Sequence, residues 1–72
     1  MNHTAMLELL DARPFAPFEI ITSGAQVHAV RHPENVVLTK TRIVVVDPEA
    51  DTMSVVPLLH ITEARFLTSA GA

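Results

Sequence analysis

Two prolines, Pro14 and Pro17, divide this 72-residue chain into a short helical part and a long extended part. Proline disfavours helical angles in the residue before it, so Pro14 ends any helix at or before Arg13, and Pro17 keeps the chain extended beyond it. Upstream, Met6, Leu9 and Leu10 fall at helical spacing on one side with Leu7 beside them, while Glu8 and Asp11 can face water. The spacing predicts a helix over about 3–12, capped by Asn2 or Thr4. So short a helix is marginal alone, and its apolar side must dock on the rest of the chain, for which a sheet is the obvious surface.

Downstream the period changes from 3.6 to 2. Phe18, Ile20 and Thr22 alternate with Glu19, Ile21 and Ser23; Ser23-Gly24 marks a tight turn, and residues 26–31 resume as a second strand of a hairpin. His32-Pro33-Glu34-Asn35 reads as a loop or strand corner, because Pro33 cannot donate to a ladder. Residues 36–39 and 42–46 form a third extended region, with Lys40 and Thr41 at a turn or bend. Within it Ile43-Val44-Val45-Val46 has no polar face. Such a β-branched run belongs in a strand covered on both sides, by core on one and by a helix or partner subunit on the other. Asp47-Pro48-Glu49-Ala50-Asp51 has the chemistry of a solvated hairpin turn. Residues 53–66 are the last extended region, where Pro57 implies a bulge, an edge position or two shorter strands meeting at a corner. Residues 68–72 read as a frayed tail.

These elements define one domain, 1–72, β-rich over about 17–67. The fold class is mainly β (α+β): a short N-terminal helix followed by a small four- to five-stranded antiparallel barrel, SH3-like or Sm-like, or a strongly bent sheet. The alternative is an open sheet whose edge strand pairs with a second copy.

Composition then bears on assembly and partners. Hydrophobic residues make up 49% of the chain and charged residues 18%, which places it among folding rather than disordered sequences. A domain this small buries only about 60% of its unfolded surface, so half-apolar composition leaves a surplus that another copy must cover. The expectation is a homo-oligomer with Val44, Val46, Val56 and Leu58 at its interface. Five Lys+Arg against 8 Asp+Glu give a net charge of -3, and no overall cationic field collects nucleic acid or anionic lipid. The absence of cysteine removes disulfides, thiolate zinc sites and cysteine nucleophiles together, and fits a cytoplasmic chain. The N-terminal residues lack a signal-peptide pattern, and the long uncharged stretch 52–62 falls far short of the roughly 20 apolar residues a spanning helix requires.

Four histidines raise the question of a metal site built from His28, His32 and His60 with Glu34. Spacing argues against it: along a strand His32 lies ~13 Å from His28 at about 3.3 Å per residue. No metal and no cofactor is expected. His60, between Leu59 and Ile61 in the last strand, points with Leu58 and Thr62 toward a partner, or else is a half-exposed strand histidine; at an interface it would make association depend on pH. Ser23, Ser54 and Ser69 stand in no nucleophile-elbow context and the 2 glycines form no phosphate loop, so neither enzymatic activity nor a small-molecule substrate is expected. Arg31, Lys40 and Arg42 gather at one end of the sheet with His28 and His32 as a weak nucleic-acid patch, which oligomerisation would multiply. Its stacking platforms are missing, because Phe15, Phe18 and Phe66 are claimed by the core.

The runs Arg13-Pro14-Phe15-Ala16-Pro17-Phe18-Glu19-Ile20, Val30-Arg31-His32-Pro33-Glu34 and Leu58-Leu59-His60-Ile61-Thr62-Glu63 together resemble a family of short bacterial proteins sharing RPFxPFxI, a strand ending in HPE, and LLHI near the C-terminus. That family brings no established activity. At the level of architecture, a helix, five strands and a closing His-Ile-Thr strand resemble the bacterial Sm-like RNA chaperone family Hfq, whose final strands hold a Lys-His pair at the RNA site. Leu59 and His60 occupy the matching positions, so the lysine is absent. This likeness implies ring or dimer assembly through strand edges. The functional expectation is therefore a non-enzymatic, small β-barrel-like homo-oligomeric interaction module. Its alternative is an Sm-like RNA binder using Arg31, His32, Lys40, Arg42 and His60.

Overall fold

The computed structural model describes residues 1–67; the reading of 68–72 as a tail lies outside them. The helix α1 (His3–Asp11) starts at Asn2, whose side-chain oxygen accepts from the Ala5 N–H at 2.8 Å. Of the two cap candidates Asn2 serves, and Thr4 lies inside the helix. At the other end the Arg13 guanidinium donates to the carbonyls of Leu10 and Ala12, at 3.0 and 2.7 Å, which occupies groups that the last turn leaves free. Met6 and Leu10 are buried, Leu9 is half-buried and Leu7 is exposed, so the helix docks through the expected side.

Six strands follow rather than four or five. They form two three-stranded antiparallel sheets. In the first, β1 (Phe18–Thr22) is flanked by β2 (Val27–Val30) and β6 (Ile61–Phe66). In the second, β4 (Arg42–Asp47) is flanked by β3 (Val36–Leu38) and β5 (Thr52–Pro57). The third extended region is thus a hairpin of two strands, folded at residues 39–41, where the Thr39 side chain both donates to the Arg42 carbonyl and accepts from the Arg42 N–H. Short 3-10 turns make the two corners: Pro33–Asn35 carries β2 into β3, and Leu58–His60 carries β5 into β6. Pro57 therefore marks a place where two shorter strands meet, one of the three roles open to it.

The β1–β2 hairpin turns through Ser23 and Gly24, but the left-handed position falls one residue later, on Ala25 at φ 63. The loop is held by the Ala25 N–H donating to the Thr22 carbonyl at 2.9 Å and the Gln26 N–H donating to the Thr22 hydroxyl at 3.1 Å. The acidic turn has a similar feature, Asp51 at φ 56, with the Asp47 carboxylate accepting from the Glu49 and Ala50 N–H groups. Asp tolerates the left-handed region because its short polar side chain bonds locally, whereas Ala has no such compensation.

The core lies between the sheets and under the helix. It comprises Met6 and Leu10 of α1, Phe18 and Ile20 of β1, Val30, Ile43, Val45, Val56, Leu58 and Ile61. Phe15 packs against it with its ring centre 6.0 Å from that of Phe18. Phe66, expected in the core, is instead 63% exposed at the end of β6. Among the described residues no polar or charged side chain is buried, and no helix is long and apolar enough to cross a membrane.

Candidate functional site

Strand pairing decides which side chains share a face. Ile43 pairs with Val56 and Val44 with Val55, so an odd-numbered residue of β4 shares its face with an even-numbered residue of β5. Val56 is consequently turned into the core, and Leu58, beyond the ladder in the 3-10 corner, is buried as well; at 5% and 4% exposed neither is available to a second subunit. That corrects half of the expected interface. Val44 and Val46 do lie on the outer face, but the residues that accompany them are Val37 across the β3–β4 ladder and Met53 and Val55 across the β4–β5 ladder.

The outer face of the second sheet is therefore a block of five apolar side chains in register. Val37, Val44 and Val55 form one row and Val46 and Met53 the next. Val37 is 60% exposed, Met53 68% and Val55 56%, so the run Ile43-Val44-Val45-Val46 is covered on one side only. The first sheet is different. Its outer face carries Glu19, Glu63 and Arg65, where the Arg65 Nε donates to Glu63 at 3.1 Å and its terminal nitrogen lies 3.8 Å from Glu19. The hydrogen bond from Arg65 to Glu63, then the charge of Glu63 and, least of all, that of Glu19 hold the guanidinium above its ordinary value against the opposing effect of desolvation. These exposed pairs contribute little stability, but they put charge on a face whose other residues are Ile21, Val27 and Ala29.

Charge marks both ends of the apolar block. At the 39–42 turn, Lys40 and Arg42 line a groove of about 510 Å³ with Met1, His3, Pro57 and Leu58, and no carboxylate lines it. At the opposite end Asp47 and Glu49 line a groove of about 360 Å³ together with Arg31, His32 and Val46. The expected cationic cluster is thus split: Arg31 and His32 share a groove with carboxylates at one end, and Lys40 and Arg42 stand at the other.

His60 belongs to neither group. It lies in the corner between β5 and β6 rather than in a regular strand, and the group it engages is its backbone carbonyl, which accepts from the Ser23 N–H at 2.8 Å. Its ring is exposed beside a third groove, shared with Thr22, Ser23, Gln26 and Pro57. Among the described residues no three of His, Asp and Glu come together at metal-binding spacing. Comparison with family models, curated proteins and solved structures finds no match to this chain.

Proposed function

We propose that the protein is a non-enzymatic interaction module that works as a homo-oligomer, its subunits meeting through the outer face of the second sheet. One observation carries this reading: Val37, Val44, Val46, Met53 and Val55 are aligned on one face, three of them more than half exposed, in a chain that places ion pairs on its other sheet. Contiguous exposed apolar patches mark interaction surfaces. A second copy is the fitting occupant because the patch has cations at one end and carboxylates at the other, which makes it complementary to itself.

The barrel reading belongs to the same proposal. Because β2 runs through one corner into β3 and β5 through the other into β6, two bent paths link the sheets and alternate with β1 and β4 around the core. This supports a small SH3-like or Sm-like barrel interrupted at two corners. A cytoplasmic, bacterial setting accompanies it, on the grounds of the cysteine-free sequence and the RPFxPFxI, HPE and LLHI runs. Multi-angle light scattering at micromolar concentration tests the assembly. A mass that is a multiple of 7.8 kDa is expected, and a clean 7.8 kDa monomer overturns the proposal.

A second reading, RNA binding, draws its support from the groove that Lys40 and Arg42 share with His3, free of lining carboxylates. Repetition of that groove in an oligomer would add phosphate contacts. Fluorescence anisotropy with a labelled single-stranded RNA should then show affinity falling with salt at a slope of about 0.7 per phosphate contact. Absent or salt-insensitive binding removes this reading.

A further inference from the structure

Resting on the homo-oligomer reading above, we infer that two copies pack face to face about a two-fold axis perpendicular to β4, with the cationic turn of each over the acidic turn of the other.

Face-to-face packing requires the two-fold axis to lie in the plane between the sheets. If the axis runs along β4, strand direction is kept and like meets like: Lys40 and Arg42 stack on their own copies, and Asp47, Glu49 and Asp51 on theirs. An axis across β4 reverses the strand. Placed at Val45, it sets the turn that carries Lys40 and Arg42 over the acidic turn, residues 47–51, of the second copy. The central rows, Val37-Val44-Val55 and Val46-Met53, then lie over each other.

The charge balance favours the second arrangement. The cationic end has Lys40 and Arg42 with no carboxylate lining the groove; the acidic end has Asp47 and Glu49 lining a groove with Arg31 and His32, and Asp51 in the same turn. Opposite charges of similar size therefore meet at both ends, whereas the first arrangement juxtaposes like charges at both. Area leads to the same conclusion. Three strands about 4.8 Å apart, two of six residues and one of three, present a footprint of at most roughly 15 by 20 Å, small beside the ~800 Å² per partner of a standard interface. The turns must join the contact, and the turns carry the charges.

The test uses Lys40→Glu and Glu49→Lys, two exposed turn residues whose side chains hold none of the hydrogen bonds of the turns. Sedimentation equilibrium at low salt reads the dissociation constant. Each single variant should weaken the dimer by about tenfold or more, since the two-fold axis repeats every unfavourable contact. The double variant K40E/E49K, which exchanges the two ends, should return to within a few-fold of the wild-type value, and the single-variant losses should shrink in 0.5 M salt. Single variants as tight as wild type, or a double variant as weak as the singles, overturn this arrangement while leaving self-association intact. A wild-type chain that is monomeric throughout overturns the underlying reading and this inference with it.

Discussion

Val44 and Val55 stand opposite each other across the β4–β5 ladder, both on the side of the sheet away from the core. The next pair in that ladder, Ile43 and Val56, faces inward and is almost completely buried. Adjacent residues of the same type, Val55 and Val56, thus have opposite surroundings, which separates assembly from stability.

Val55→Lys should abolish or strongly weaken self-association while changing folding stability by no more than about 1 kcal/mol, as expected of an exposed strand position. Val56→Ala should do the reverse, lowering stability by about 1–3 kcal/mol through a core cavity with the assembled mass retained wherever the chain is folded. Light scattering and urea denaturation on the same samples distinguish the two. Equal effects on mass contradict the assignment of faces.

The same contrast applies to the helix. Met6 is fully enclosed and Leu7 is 41% exposed. Met6→Ala should cost about 2–5 kcal/mol, and Leu7→Ala less than about 1 kcal/mol. For so small a domain the first loss approaches the whole stability, so thermal unfolding followed by circular dichroism should show a large fall in Tm for Met6→Ala only.

Ala25, like Asp51, occupies a left-handed position, but it has no polar side chain that could bond locally. Ala25→Gly should raise stability by about 0.5–1 kcal/mol, the relief of strain exceeding the added freedom of the unfolded chain. Gly24 does not need its glycine. A Cβ there would come no closer than 3.9 Å to the Thr22 hydroxyl, and its φ lies outside the left-handed range. The double variant G24A/A25G should be at least as stable as A25G, with an unchanged urea m-value.

Asn2 supplies the first turn of α1 with its side-chain acceptor. Asn2→Ala should destabilise by about 1 kcal/mol and Asn2→Ser by much less, measured as shifts in the urea midpoint. Equal losses for both would show that the side chain acts through the neighbouring groove rather than as a cap.

Much of the fold was legible because local chemistry dictated it. Pro14 and Pro17 separated helix from strand, Asn2 stood ready as a cap, and Pro33 and Pro57 fell at the two corners. The faces of the second sheet were less legible, since Ile43-Val44-Val45-Val46 has no polar residue to say which side is wet. Counting by twos from Val44 through the acidic turn to Val56 keeps even numbers together, but the ladder pairs odd with even, and Val56 and Leu58 moved inside. His60 looked like part of a regular strand because Leu59 and Ile61 flank it, yet the 3-10 turn at Leu58–His60 breaks the alternation there. Ser23-Gly24 marked the turn correctly, but nothing in the sequence signalled that its left-handed position would fall on Ala25. The pairing of β1 with β6 had no local signal at all.

That pairing has a consequence for how the molecule comes together. The second sheet is an uninterrupted meander, β3 to β5, and all its strand pairings are between neighbours in sequence. The first sheet is completed only when β6 returns across that meander and Phe66 meets Phe18. It works as a clasp: the chain between must already be compact for its two halves to reach each other, because closing so long a loop costs entropy that only a folded meander offsets. Damage to the meander should therefore be felt first as an open clasp, with β6 released from β1 before either hairpin is lost.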